Sequence, residues 1–257
     1  MTGRGLGASA SRAPSAALVV VGDEILSGKV ADTNSGYLIG ALRERGIDLR
    51  KILVVADELE DIAWAIRHCV DAYDHVFTSG GIGPTHDDVT SAGVALALGR
   101  SLVRNPELDE LLRGFFGSRL TEDHLKMADV PEGTSLMLGG EIRWPVIVPA
   151  PGLYMLPGIP EIFRAKVDAL RGELDGVVVR CSWVHTSVDE GLLAPHLNAI
   201  LETHPAVKIG SYPVLGRQDY RVRVAIESTD DAAVDAAVDE LLRRLPAGEA
   251  ARAPIEN

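Results

Sequence analysis

The chain has 257 residues, 46% hydrophobic and 24% charged, a composition that excludes disordered, collagen-like and low-complexity classes. Against 37 acidic residues stand 25 basic ones, a formal charge of −12 that repels nucleic-acid phosphates and anionic membranes, so neither is an expected partner. Its 2 cysteines are too few for a disulfide framework or zinc site, and no apolar run approaches the roughly 20 residues of a membrane span or the core of a secretion signal. These features together point to the cytoplasm.

Residues 1–15 are rich in Gly, Ser and Ala and show no period, which predicts a disordered leader. From Leu18 strands alternate with helices. Leu18-Val19-Val20-Val21 is a continuous apolar run, as in a strand covered on both faces of a parallel sheet. Asp32 or Thr33 caps a helix reaching about Arg45, with Leu38, Ala41 and Leu42 inward. Leu53-Val54-Val55 reads as the second strand and residues 60–73 as a helix with Ile62, Ala63, Ile66, Cys69, Val70 and Tyr73 on one face. His75-Val76-Phe77-Thr78 is the third strand, followed by a helix from about Asp87 to Leu98 and another over residues 107–116. Residues 117–145 form an excursion with short elements. A strand pair at residues 146–148 and 153–155 and a helix over residues 160–170 complete the predicted three-layer α/β domain, residues 16–172.

At Gly172 to Gly176 the pattern changes. A strand over residues 177–185 presents Val177, Val179, Cys181 and Trp183 on one face. A helix over residues 189–203, strands at 207–212 and 220–227 and a helix over 229–245 follow. The order β-α-β-β-α predicts a small α+β domain over residues 173–248, with 249–257 as a tail. It has no GXXG clamp of the RNA-binding KH type.

The densest chemical signal is Gly80-Gly81-Ile82-Gly83-Pro84-Thr85-His86-Asp87-Asp88-Val89-Thr90, between a strand and a helix. Three glycines in four positions let backbone N–H groups converge on an anion beside a helix N-terminus. The spacing is neither a P-loop nor a dinucleotide fingerprint. Two adjacent carboxylates repel a bound phosphate unless a divalent cation lies between them or one acts as a base. The plainer alternative is a tight turn with Asp87 capping the helix. A second loop, Gly22-Asp23-Glu24-Ile25-Leu26-Ser27-Gly28, leads to Asp32-Thr33-Asn34, and parallel strands would bring both loops to one crevice. Asp23 and Glu24 would add hard oxygen ligands there, or would simply be a solvated loop. The third junction, Leu156-Pro157-Gly158-Ile159-Pro160-Glu161, suits a helix start as well as a site. Lys126 could neutralise a phosphate but reads better as a surface lysine. Cys69 and Cys181 sit on apolar faces and read as core.

These loop motifs resemble the MoaB/Mog molybdopterin-binding superfamily, and more closely the N-terminal domain of CinA-type proteins. The tracts Leu125-Lys126-Met127-Ala128, Trp144-Pro145, Tyr154-Met155-Leu156-Pro157-Gly158 and Gly210-Ser211-Tyr212-Pro213 are similar to the version fused to eukaryotic FAD synthases. The resemblance spans about residues 16–245. It implies a three-layer α/β fold, homo-oligomers (dimers or trimers), and a phosphorylated nucleotide or pterin ligand. It also implies metal-dependent hydrolysis of a nucleotide pyrophosphate, ADP-ribose or FAD, with Mg, Mn or Co. On it Asp88 and Asp87 are the expected catalytic acids, with Asp23, Glu24, Asp87 and Asp88 as metal ligands. Gly80, Gly81, Gly83, Thr85, Asn34, Gly158 and Pro160 are the expected ligand-binding residues. Adenylylation of molybdopterin and a non-catalytic binding module are the competing readings. The chain as read carries neither a CinA amidase domain nor an FAD-synthase adenylylating domain, so neither of those activities is implied.

Overall fold

In the computed structural model, residues 13–138 and 144–253 are described. The chain divides into two units, Met1–Val177 and Val178–Asn257.

In the first unit, β1 (Ser15–Val21), β2 (Asp48–Val55), β3 (His75–Ser79), β6 (Ser135–Met137), β7 (Val146–Ala150) and β8 (Leu153–Leu156) form one sheet in the order β2-β1-β3-β8-β7-β6. The first four in that order run parallel, β7 is antiparallel to β8, and β6 is antiparallel to β7. The apolar run of β1 shows why both faces must be covered. Ala17, Val19 and Val21 enter one core with Ile62 and Ile66 of α3 (Leu59–Val70), Val94 of α4 (Thr90–Leu98) and Leu108 and Leu112 of α5 (Pro106–Phe116). Ala16, Leu18 and Val20 enter the other, with Leu38 and Leu42 of α2 (Asn34–Glu44) and Phe163, Val167 and Leu170 of α7 (Pro160–Leu170). A period of two on a strand thus divides its apolar side chains between two helical layers.

Several boundaries differ from expectation. Residues 1–12 of the expected leader, 1–15, lie outside the described residues, but Ser15 already belongs to β1, where its N–H and hydroxyl both donate to Asp74 at 2.7 Å. The loop after β1 contains a helical turn, α1 (Asp23–Leu26). Strand β2 starts five residues before the apolar triplet, because an edge strand alternates half-buried and exposed positions. Helix α4 begins at Thr90, not at Asp87, since Asp87 and Asp88 belong to the preceding turn. Within the excursion, β4 (Leu102–Arg104) pairs with β5 (Asp129–Pro131), and α6 (Glu122–Lys126) lies between them in the chain.

In the second unit, β10 (Lys208–Pro213), β11 (Val222–Ser228), β9 (Arg180–Thr186) and β12 (Ala250–Arg252) form an antiparallel sheet in that order. Its core joins Val184, Val222, Val224 and Ile226 to α8 (Glu190–Thr203) and α9 (Asp231–Arg244). Strand β12 corrects the expected tail, because it completes the sheet beside β9. The phase of β9 is also corrected: Val184 faces the core, opposite Val224, whereas Cys181 and Trp183 lie on the other face. Trp183 is satisfied there by the Arg223 guanidinium 4.4 Å above its ring and by Tyr212 at 5.6 Å. Among the described residues no helix is long and apolar enough to cross a membrane.

Candidate functional site

Parallel strands place the carboxyl ends of β1, β2, β3 and β8 on one edge of the sheet, and β7, antiparallel to β8, starts from that same edge. A cleft of about 760 Å³ opens there in the first unit. Its floor is the loop after β3. Gly80 has φ +103°, and a Cβ on it would stand 2.3 Å from the Val21 carbonyl oxygen, so only glycine lets the loop press against β1. Thr90 closes the loop from the helix side, its hydroxyl donating to the Gly80 carbonyl at 2.9 Å and its N–H to Gly81 at 2.9 Å.

Asp88 organises the loop from within. Its carboxylate accepts the Gly83 N–H at 2.7 Å, the Thr85 N–H at 2.8 Å and the Thr85 hydroxyl at 2.5 Å. A Cβ on Gly83 would stand 2.7 Å from the Asp88 carboxylate, so a side chain there would push that carboxylate out of its place. The Gly80 N–H donates to the Leu156 carbonyl at 3.1 Å. Two of the four N–H groups expected to meet an anion are therefore engaged inside the fold. Gly81 and Ile82 are the pair whose N–H groups find no acceptor among the described residues, and both residues line the cleft.

The acidic wall stands toward β1 and β2. Glu24, Asp57 and Asp87 all line the cleft. Asp57 accepts the Asp23 N–H at 2.8 Å, bracing the turn after β1 against the end of β2. Burial, and then the negative charges of Glu24, Asp23 and Asp87, push its carboxyl above the usual range, against the pull of that hydrogen bond. Asp87 is held below the ordinary carboxylate range, chiefly by the polar Thr85 side chain beside it and then by its own backbone N–H.

On the opposite side, toward β7, the wall is apolar and aromatic: Leu108, Leu112, Phe115, Phe116, Met127 and Trp144. Phe115 meets Trp144 edge-to-face at 5.3 Å and Phe116 at 4.9 Å. Lys166 lines this end as well, and its burial pushes the ammonium down to about 8. With neighbouring strands about 4.8 Å apart, the acidic wall and the β7 end are separated by three to four spacings, roughly 14–19 Å.

Of the expected site residues, the structure brings together at the cleft Glu24, Gly80, Gly81, Gly83, Thr85, Asp87, Asp88 and Gly158. Asp23, Asn34 and Pro160 are not on its wall. Asn34 braces the floor instead, donating to the Ser79 hydroxyl and the Gly158 carbonyl, each at 2.9 Å. Pro160 is the first residue of α7. Lys126 pairs with Asp123 at 2.6 Å on the surface. The sequence reading missed Asp57, Lys166 and the aromatic wall. For Lys166 a signal existed: a lysine on the apolar stripe of Phe163, Val167 and Leu170.

The resemblance implies a divalent cation. Glu24, Asp57 and Asp87 offer hard oxygen donors, and the acidic neighbours that raise Asp57 are charge a cation would neutralise. Among the described residues no three His, Cys, Asp or Glu side chains form a ready ligand set. A cation held here would therefore need water and the substrate's phosphates to complete its ligands beside one or two of these carboxylates.

A glycine-floored cleft at the carboxyl edge of a mostly parallel three-layer sheet, followed by a small α+β unit, is the α/β architecture that the loop motifs led one to expect. Residues 17–174 match the family described as "Probable molybdopterin binding domain", and the chain belongs to it. Residues 179–254 match the family described as "FAD synthase, middle domain". A protein of Aeropyrum pernix is 36% identical over 226 residues, 82% of this chain and 84% of its own length. A probable FAD synthase of Caenorhabditis briggsae is 31% identical over 257 residues, 88% of this chain, which spans 49% of that relative. The crystal structure of the protein CinA, of unknown function, from Thermoplasma acidophilum matches with a TM-score of 0.59 at 32% identity, covering 64% of this chain and 99% of that one. The molybdopterin-binding, CinA-type and FAD-synthase resemblances read from the loops are thus borne out.

Proposed function

We propose that the cleft binds a phosphorylated nucleotide or pterin and hydrolyses a pyrophosphate in it with the help of a divalent ion, in the cytoplasm. The observation that carries this reading is the pair of unengaged N–H donors at Gly81 and Ile82, in a cleft that Glu24, Asp57 and Asp87 also line. Backbone donors at a helix approach receive phosphate oxygens, while carboxylates alone would repel them. Glu24, Asp57 and Asp87 would hold a cation between wall and phosphates, where it supplies charge neutralisation. The cleft extends to both sides of the loop, which suits a pyrophosphate at the centre with a different group on each side.

In the proposed reaction a water oxygen bonds to one phosphorus, the bridging P–O bond breaks, and two monophosphates leave. From ADP-ribose the products are AMP and ribose 5-phosphate. Asp87, exposed and ionised, orients the water. Asp88 acts through the loop, since the hydrogen bonds to Gly83 and Thr85 engage both its oxygens. In this reading Asp88 takes an indirect part in place of the directly catalytic one that the resemblance implies.

A second reading, adenylylation of a pterin phosphate, is favoured by the family description matched over residues 17–174. Incubation with ADP-ribose, FAD or NAD and Mg²⁺, Mn²⁺ or Co²⁺, with chromatography of products, separates the readings. Release of AMP supports hydrolysis. Consumption of ATP only when molybdopterin is present supports transfer, and tight binding without turnover leaves a binding module.

A further inference from the structure

Helix α7 buries Phe163, Val167 and Leu170 completely, and Lys166 lies among them at 5% exposure. Its Nζ donates to the carbonyl oxygens of Trp144, at 3.3 Å, and Pro145. No carboxylate lies within ion-pair distance of it among the described residues, and burial alone lowers its proton affinity. An ammonium carries three N–H bonds, so one remains after the two carbonyls. A buried cation is costly unless its donors are satisfied, and Lys166 lines the cleft, where a ligand could take the third.

The surroundings specify what could satisfy it. Trp144, whose carbonyl Lys166 holds, meets Phe115 edge-to-face, and with Phe116 and Met127 these form a wall suited to a flat ring. This end starts at β7, two strand spacings or about 10 Å from the glycine loop of β3, which leaves room for a sugar between phosphate and ring. We propose that Lys166 is a specificity-determining residue, donating its third N–H to a carbonyl oxygen on a planar heteroaromatic ring that lies against Trp144 and Phe115. The proposal rests on the reading of the cleft as a nucleotide or pterin phosphate site.

Calorimetric titration with two probes tests it: flavin mononucleotide, which has ring carbonyls, and ribose 5-phosphate, which has no ring. The variants are Lys166→Met, which keeps length and removes every N–H, and Lys166→Gln, which restores an N–H donor. Lys166→Met is expected to weaken flavin mononucleotide at least tenfold and to leave ribose 5-phosphate within twofold. Lys166→Gln is expected to recover part of the loss. Unchanged ribose 5-phosphate binding shows that the variants are folded. Equal losses for both probes, or no loss for either, would overturn the assignment. Wild-type protein that binds ribose 5-phosphate but not flavin mononucleotide would also overturn it while leaving the phosphate site intact. Wild-type protein that binds neither would remove the phosphate reading and this inference with it.

Discussion

Asp88→Asn removes one charge and exchanges one acceptor oxygen for an amide donor. The wild-type carboxylate accepts from the Gly83 N–H with one oxygen and from the Thr85 N–H and hydroxyl with the other. Asparagine can keep one side of this clasp, but its NH₂ then meets an N–H on the other. Hydrogen bonds to a charged group contribute about 1.5–3 kcal/mol each, and the Thr85 side is exposed, so the lower part of that range applies. A loop that must order before it can bind passes that cost to the ligand. At about 1.4 kcal/mol per factor of ten, affinity should fall roughly tenfold or somewhat more. The assay is calorimetric titration of ADP-ribose without metal, with Asp88→Ala beside it, which loses the whole clasp and should bind more weakly still. Asp88→Asn protein that binds metal-free ADP-ribose as tightly as wild type, yet turns over a hundredfold more slowly, would refute the reasoning. That pattern belongs to a base or a metal ligand, which contributes to the reaction and not to the order of the loop.

Asp57→Asn should raise the melting temperature at pH 7, because the folded state holds the Asp57 proton more tightly than the unfolded chain does. Its ionisation therefore costs stability above the folded pKa, and the gain from Asn should vanish near pH 3; asparagine still accepts the Asp23 N–H, so a loss at pH 7 would count against the acidic-wall account. Metal-dependent turnover by the same variant should fall. In the second unit, Asp235 pairs with Arg252 at 2.8 Å and Arg180 at 3.0 Å, which hold its carboxyl below the usual range. Its contribution is present above the unfolded pKa and lost as pH falls, so Asp235→Asn should melt earlier at pH 7 and equally at pH 2, with ligand affinity unchanged. Weakened binding in that variant would move part of the site out of the first unit.

The run Leu18-Val19-Val20-Val21 was enough to identify a strand covered on both faces, because four apolar residues in a row have no solvent side. Loops that follow parallel strands then had to meet at one edge, which put Glu24, the glycine loop and Gly158 together. What stayed hidden depended on geometry that residue types do not encode. Asp88 is a residue type that suits a metal ligand, but its carboxylate accepts from backbone N–H groups three and five residues away, which no residue type announces. Asp57 follows an edge strand whose exposed alternate positions weaken the apolar signal. Trp183 reads as core by hydrophobicity, whereas a guanidinium and a tyrosine ring satisfy it on the far face of its sheet. The aromatic wall joins α5 to Trp144 across an excursion with no period to reveal the approach.

The central claim is that Gly81 and Ile82 offer their N–H groups to an anion. Amide chemical shifts of ¹⁵N-labelled protein, followed as ADP-ribose or inorganic pyrophosphate is added, test it directly. The Gly81 and Ile82 amides should show the largest saturable shifts, and Gly80 and Gly83, already bonded to Leu156 and Asp88, should move less. Saturable binding that leaves the Gly81 and Ile82 amides unmoved would contradict the account.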